Sequence, residues 1–81
     1  MNYKISSGTH SFELAYIEDE KRMQLLIDLR EPVIFLNEDI VTTWEPPFDK
    51  LKITKKDKSR ILKNIYKYFR KRSDFKVTLE D

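Results

Sequence analysis

Apolar and polar side chains alternate along much of the first half of the chain, and this period of two predicts half-buried β-strands. The clearest runs are residues 11–18 and 22–29, which flank a polar hairpin turn. In the second run Leu26 breaks the alternation, because it places an apolar side chain on the polar face. Shorter β-rich runs predict further strands at residues 3–6, 33–36 and 40–44. The first half is therefore predicted to form an antiparallel meander of four or five strands.

A helical period begins after the prolines at positions 46 and 47. Residues 55–72 contain no glycine or proline, and Thr54 with Asp57 three residues later resembles a capping box. One face of this helix is apolar and consists of Ile61, Leu62, Ile65, Tyr68 and Phe69. Residues 75–79 alternate again and predict a closing strand. The predicted fold is α+β: an antiparallel β-meander of four to five strands, one α-helix packed on one face, and a C-terminal strand.

The composition limits the chemistry that the chain can perform. An 81-residue chain predicts one domain over residues 1–81. The absence of cysteine excludes disulfides and thiolate chemistry, and a single glycine cannot build a phosphate-binding loop. The one histidine, His10, adjoins Ser11, but no catalytic set of base, nucleophile and electrostatic stabiliser accompanies it. We expect no enzyme activity, no cofactor and no metal site.

The same features indicate where the protein acts. Small secreted domains usually contain disulfides, and the first residues include no apolar run of signal-peptide length. No segment is long and apolar enough to span a membrane. These features predict a cytoplasmic protein. A free sheet edge would allow either a monomer or a weak homodimer.

The charges divide between the two halves of the chain. Residues 1–49 carry four Lys or Arg against ten Asp or Glu, whereas residues 50–81 carry twelve against four. The acidic turns are a candidate surface for a basic protein partner: Glu18, Asp19, Glu20, Glu38, Asp39 and Glu45. Two alternatives remain open: the turns are acidic for solubility, or the two halves attract each other within the fold.

The predicted helix provides an alternative binding surface. Residues 55–72 hold nine of the sixteen basic residues. Lys63, Lys67 and Arg70, interleaved with Tyr66, could contact the backbone and stack a base of a nucleic acid. An anionic membrane is a third, weaker candidate ligand for this face. A solvated face of an ordinary amphipathic helix remains the simpler interpretation.

The only tryptophan, Trp44, stands directly before Glu45, Pro46 and Pro47. A residue before proline is pushed into an extended conformation, so the chain leaves the sheet stiffly at this point. Trp44 is then either a structural plug at the end of the core, with Pro46 and Pro47 carrying the chain toward the helix, or an exposed binding anchor.

Three pieces of the sequence resemble small immunity proteins of bacterial polymorphic toxin systems. They are the Trp-Glu-Pro-Pro stretch that closes the meander, the Arg-Ile-Leu-x-x-Ile core of the helix at residues 60–65, and the alternating final strand. The similarity runs from about residue 11 to residue 79. It implies an α+β fold, no enzyme activity, and binding that neutralises a toxin made by the same cell or its siblings. Family members often have a glycine after the helix; this chain has Ser73-Asp74 there, so we expect that turn to differ.

Overall fold

The first three strands form an antiparallel sheet. The computed structural model describes residues 2–7, 13–28, 30–72 and 75–79. Strands β1 (Tyr3–Ser7), β2 (Glu13–Glu18) and β3 (Lys21–Leu26) pair in the order β1-β2-β3. A two-residue turn joins β2 to β3, and Asp19 in this turn has φ 56°, a left-handed conformation that Asp tolerates. The ends of the predicted strands at residues 11–12 and 29 lie outside the described residues.

The chain then makes a crossover that contains the helix. After β4 (Val33–Leu36) come a short 3-10 helix (Glu38–Ile40), the helix α1 (Lys55–Arg70) and strand β5 (Lys76–Leu79). Strand β5 pairs with β4 in parallel, so these two strands form a second sheet. The α+β class is confirmed. In place of extending the predicted antiparallel meander, β4 pairs with β5, because the crossover through α1 brings the chain back to the start of β4 and lets β5 run parallel to it.

The predicted strand at residues 40–44 does not form. Ile40 ends the 3-10 helix, and residues 41–45 run beside the outer edge of β3 without joining its ladder. A backbone hydrogen bond from Glu45 N to Arg22 O, 2.8 Å long, ties the two segments at one end. Both segments line a groove of about 580 Å³, to which β3 contributes Arg22 and Gln24 and the later segment contributes residues such as Thr43. The β-rich composition of this stretch therefore did not produce a paired strand.

Helix α1 begins where the capping pattern predicts. Asp57 N donates to the Thr54 hydroxyl oxygen at 3.1 Å, and Thr54 N donates to the Asp57 carboxylate at 3.0 Å. The helix ends at Arg70, two residues before the predicted end at residue 72. The capping box fixes the register of the helix, and hence which of its side chains point at the sheet.

One core joins the sheets to the helix. Trp44 is 5% exposed and lies in this core, stacked on Tyr16 with ring centroids 6.3 Å apart. Pro46 and Pro47, which follow it, are exposed and are joined by a cis peptide bond. The buried apolar residues are Leu14, Tyr16, Met23, Leu25, Ile27, Ile34, Leu36, Val41, Trp44, Ile61, Leu62, Ile65 and Phe69. The question that the sequence left open about Trp44 is thus answered: its indole packs inside.

Candidate functional site

The carboxylate of Glu18 lies inside the protein and connects β2 to helix α1. Glu18 is 1% exposed, although it stands next to a hairpin turn. Arg60 donates two hydrogen bonds to it, from Nε at 3.1 Å and from a terminal nitrogen at 2.8 Å. The Tyr16 hydroxyl donates a third at 2.7 Å and accepts one from the Asn64 amide at 3.0 Å. Glu18 is therefore part of a buried polar network, and its carboxylate is not available at the surface.

This network continues to the helix cap. Arg60 also donates to the Asp57 carboxylate at 2.7 Å, so one guanidinium holds two acidic groups. The Thr54 backbone N–H and the Arg60 side chain lower the pKa of Asp57 to about 2. Burial raises the pKa of the Tyr16 hydroxyl above its usual value, and the carboxylates of Glu18 and Asp57 raise that of Arg60. The ion pair of Glu18 and Arg60 therefore joins the acidic half of the chain to the basic half inside the fold.

The other acidic residues of the predicted surface separate into two groups. Asp19 and Glu20 are exposed at the hairpin tip, and Glu45 lies at the same end of β3, where it pairs with Arg22. Glu38 and Asp39 immediately precede Ile40, which lines a groove together with Leu26 at the opposite end of β3. The two ends are five residues apart, or about 17 Å at the rise of a strand. The predicted acidic surface therefore comprises two separate patches.

The basic side chains of the predicted nucleic-acid face do lie together. Lys63, Lys67 and Arg70 are exposed on α1, with Tyr66 half-buried between them. These four residues and Lys71 line a shallow groove of about 490 Å³. The Arg70 guanidinium lies 5.7 Å from the centre of the Tyr66 ring, so it covers part of the ring.

A third surface escaped the analysis of the sequence. Leu26, Val33 and Phe35 are exposed and line a groove of about 440 Å³ between the end of β3 and β4. Strand β4 is a run of four apolar residues, and period two necessarily turns two of them outward. The apolar run of β4 and the break in alternation at Leu26 are the two features of the sequence that indicate an exposed apolar surface here.

Two further searches bear on the chemistry of the described residues. Within the described ranges, no three acidic or histidine side chains cluster in a way that could hold a metal ion. The helices of those ranges include none with the length and apolar character needed to cross a bilayer. His10 and Ser11 lie outside the described residues, as does the turn at Ser73-Asp74.

Fold and surface together define a small α+β protein with one cationic groove and one apolar groove. Residues 15–80 match the family model described as Immunity protein 74. Because the match spans most of the chain, the protein belongs to this family of immunity proteins, and the resemblance noted in its sequence is confirmed. No curated protein and no solved structure matches the chain.

Proposed function

We propose that this protein neutralises a toxin by binding it stoichiometrically in the cytoplasm. The observation that carries the proposal is the family match over residues 15–80, since immunity proteins of polymorphic toxin systems protect the cells that contain them. Binding alone is enough for this task. A tight complex that covers the toxin's active site, or a surface beside it, blocks access of the substrate without any catalytic step by the immunity protein.

The size of the protein suits this mode of action. A specific protein–protein interface covers about 800 Å² on each partner. The accessible surface of this chain is 5795 Å², so one face is large enough to form such an interface. The packed core around Trp44 supports the surface of the domain, and a surface that is already ordered loses less conformational entropy on binding.

The proposal is tested by isolating the partner and then assaying it. The tagged protein is recovered from its native cells at moderate salt after nuclease treatment, and an unrelated tagged protein of similar charge serves as the control. We expect one retained protein in a defined stoichiometry. That protein, expressed alone in a test host, should arrest growth, and co-expression with this chain should restore it. A retained protein that does not inhibit growth, or whose toxicity persists on co-expression, contradicts the proposal.

The cationic groove of α1 supports a second candidate function, the binding of nucleic acid. Its support is the clustering of Lys63, Tyr66, Lys67 and Arg70 in one groove. Binding to a labelled DNA or RNA would then weaken steeply with salt, and replacing Lys63, Lys67 and Arg70 together by Ala would reduce the salt slope. Replacing Lys50, Lys52 and Lys76 together is the matched control. Equal affinity of both triple variants contradicts this second function.

A further inference from the structure

The exposed apolar side chains of the described residues concentrate beside one groove. Leu26 is 73% exposed, Phe35 60% and Val33 37%, and all three line the groove between β3 and β4. Ile27, Ile34 and Ile40 also line it. Isolated exposed apolar residues are ordinary on protein surfaces, whereas several around one concavity mark a place where another surface packs.

The edge of this groove is acidic. Asp28 and Glu31 line it, and Glu38 and Asp39 come directly before Ile40. Arg30 is the only basic residue between positions 26 and 40, and it is hydrogen-bonded to Asp28 at 3.2 Å. The hydrogen bond to Asp28 and, to a smaller extent, the negative charge of Glu31 raise the pKa of Arg30. Among the described residues, no ion pair within 4.0 Å involves Glu38 or Asp39. Lys76 of β5 is exposed and pairs with Val33, so two basic residues, Arg30 and Lys76, stand against four acidic ones near the groove. The apolar centre therefore has a net negative charge around it.

This charge distribution selects among possible occupants. In a symmetric contact between two copies, the same patch of both copies forms the interface. The acidic edge of one copy would therefore lie close to the acidic edge of the other. Like charges brought together at an interface cost several kcal/mol, which disfavours a homodimer through this surface. Nucleic acid and anionic lipid are disfavoured for the same reason. A protein surface with basic residues around an exposed apolar side chain complements the groove in both shape and charge.

We propose that the groove formed by Leu26, Val33 and Phe35, with its acidic edge, is the surface that docks the toxin. This inference rests on the proposed function and adds to it a binding site and the chemistry of the partner. The toxin contributes an apolar anchor to the groove and basic residues to Glu31 and to the Glu38–Asp39 turn. The acidic hairpin tip at Asp19 and Glu20, at the far end of β3, lies outside the contact.

The test compares two exposed leucines, of which only one lines the groove. Leu26→Lys places a cation in the groove, and Leu51→Lys makes the same change at a position that is 51% exposed elsewhere. The probe is the protein retained by the wild-type chain in the isolation described above, and kinetics are measured on a biosensor. We expect Leu26→Lys to raise the Kd about thirtyfold or more. Leu51→Lys should change it by about twofold or less.

Two further pairs of variants keep the test decisive. Phe35→Ala and Leu26→Ala are mild truncations that also weaken binding if the groove is the site, and they guard against misfolding of the lysine variant. Glu31→Lys should slow association several-fold, whereas Glu20→Lys at the hairpin tip should leave it unchanged. The fluorescence emission of Trp44 and the thermal midpoint, unchanged from wild type, show that each variant is folded.

The outcomes separate this inference from the proposed function. Tight binding by Leu26→Lys and Phe35→Ala, with a toxic partner that the wild type neutralises, overturns the docking surface and leaves the function standing. Failure of the wild type to retain any toxic protein overturns both. If sedimentation shows a wild-type dimer that Leu26→Lys dissociates while toxin binding persists, the groove joins two copies and the assignment to the toxin is wrong.

Discussion

At the scale of single residues, the location of Glu18 shows how a charge predicted at the surface became part of the core. The sequence places Glu18 at the start of an acidic turn, where a carboxylate is usually solvated. Its partner Arg60 lies 42 positions away along the chain. Nothing local to either residue indicates the pairing, because it depends on helix α1 packing over the inner face of β2. A buried carboxylate with three donors is stable only as long as those donors remain.

Removing the cation from this pair should destabilise the protein strongly. Arg60→Ala leaves the Glu18 carboxylate buried with only the Tyr16 hydroxyl as a donor, and we expect a loss of about 3–5 kcal/mol in the free energy of unfolding. The measurement is urea denaturation followed by circular dichroism. Arg70→Ala, on the exposed face of the same helix, is the control and should change stability by about 0.5 kcal/mol or less. Equal effects of the two substitutions would show that the buried pair does not stabilise the fold.

The indole of Trp44 provides a second test at this scale. Trp44→Ala removes a large buried side chain that stacks on Tyr16, and a loss of about 3–5 kcal/mol is expected. A loss of that size is a large part of the stability of a small domain. Trp44→Phe should restore a substantial part of it. A thermal midpoint of Trp44→Ala equal to that of the wild type would exclude a structural role for the indole.

At the scale of elements, the N-terminus of helix α1 contributes a dependence on pH. The Thr54 N–H and Arg60 hold the pKa of Asp57 at about 2, below its usual value of 3.8. Because the folded-state pKa is the lower one, ionised Asp57 stabilises the fold above about pH 4. This contribution is lost as the pH falls from about 4 to about 2.

Asp57→Asn should therefore reduce stability in a way that depends on pH. Near neutral pH we expect the variant to be less stable than wild type by about 1–2 kcal/mol, after allowing for solvent screening. The difference should shrink as the pH falls through 4 and nearly vanish near pH 2. Urea denaturation at several pH values measures it. A constant difference over that range would mean that the charge of Asp57 is not what stabilises the helix.

The same elements show how far the sequence predicts the fold. Period-two runs, the capping box and the helical stripe identified β1 to β4, α1 and β5, because these signals are local. The pairing of β4 with β5 could not be predicted, since no local signal records which distant strand a short apolar run will meet. The strand predicted at residues 40–44 does not form for a related reason: β propensity favours an extended chain, but only pairing with a partner edge makes it a strand. The apolar groove has only a weak local signal, because Leu26 is a single break in the alternation and an isolated exposed leucine is ordinary on a protein surface.

At the scale of the whole molecule, the split in charge gives the protein two surfaces of opposite charge. The cationic groove lies on helix α1, and the acidic residues lie around β3, β4 and the 3-10 helix. A basic partner is attracted to one surface and repelled by the other, so the field of the molecule orients the partner before contact. The net charge of +2 conceals this arrangement.

Association with the toxin should accordingly slow as salt is added. Raising the ionic strength from about 0.05 to about 0.5 M should lower the association rate about tenfold, with a smaller effect on dissociation. Replacing Lys63, Lys67 and Arg70 together by Glu should leave that rate unchanged or raise it, since the acidic surface carries the attraction. Stopped-flow mixing with the isolated partner measures both rates. A slower association of the triple variant would assign recognition to the helix.

The parallel pairing of β4 with β5 has a consequence for how soon a newly made molecule can protect its cell. Val33 pairs with Lys76, so β4 stays without its neighbour until the ribosome has added and released the segment that holds β5. The ion pair of Glu18 likewise cannot form until Arg60 has been synthesised. Contacts this distant along a chain form late and slowly. On the proposed function, we therefore expect no protection from a nascent chain that still lacks β5. Immunity would then follow translation only after a delay, which favours keeping a stock of the folded protein ahead of its toxin.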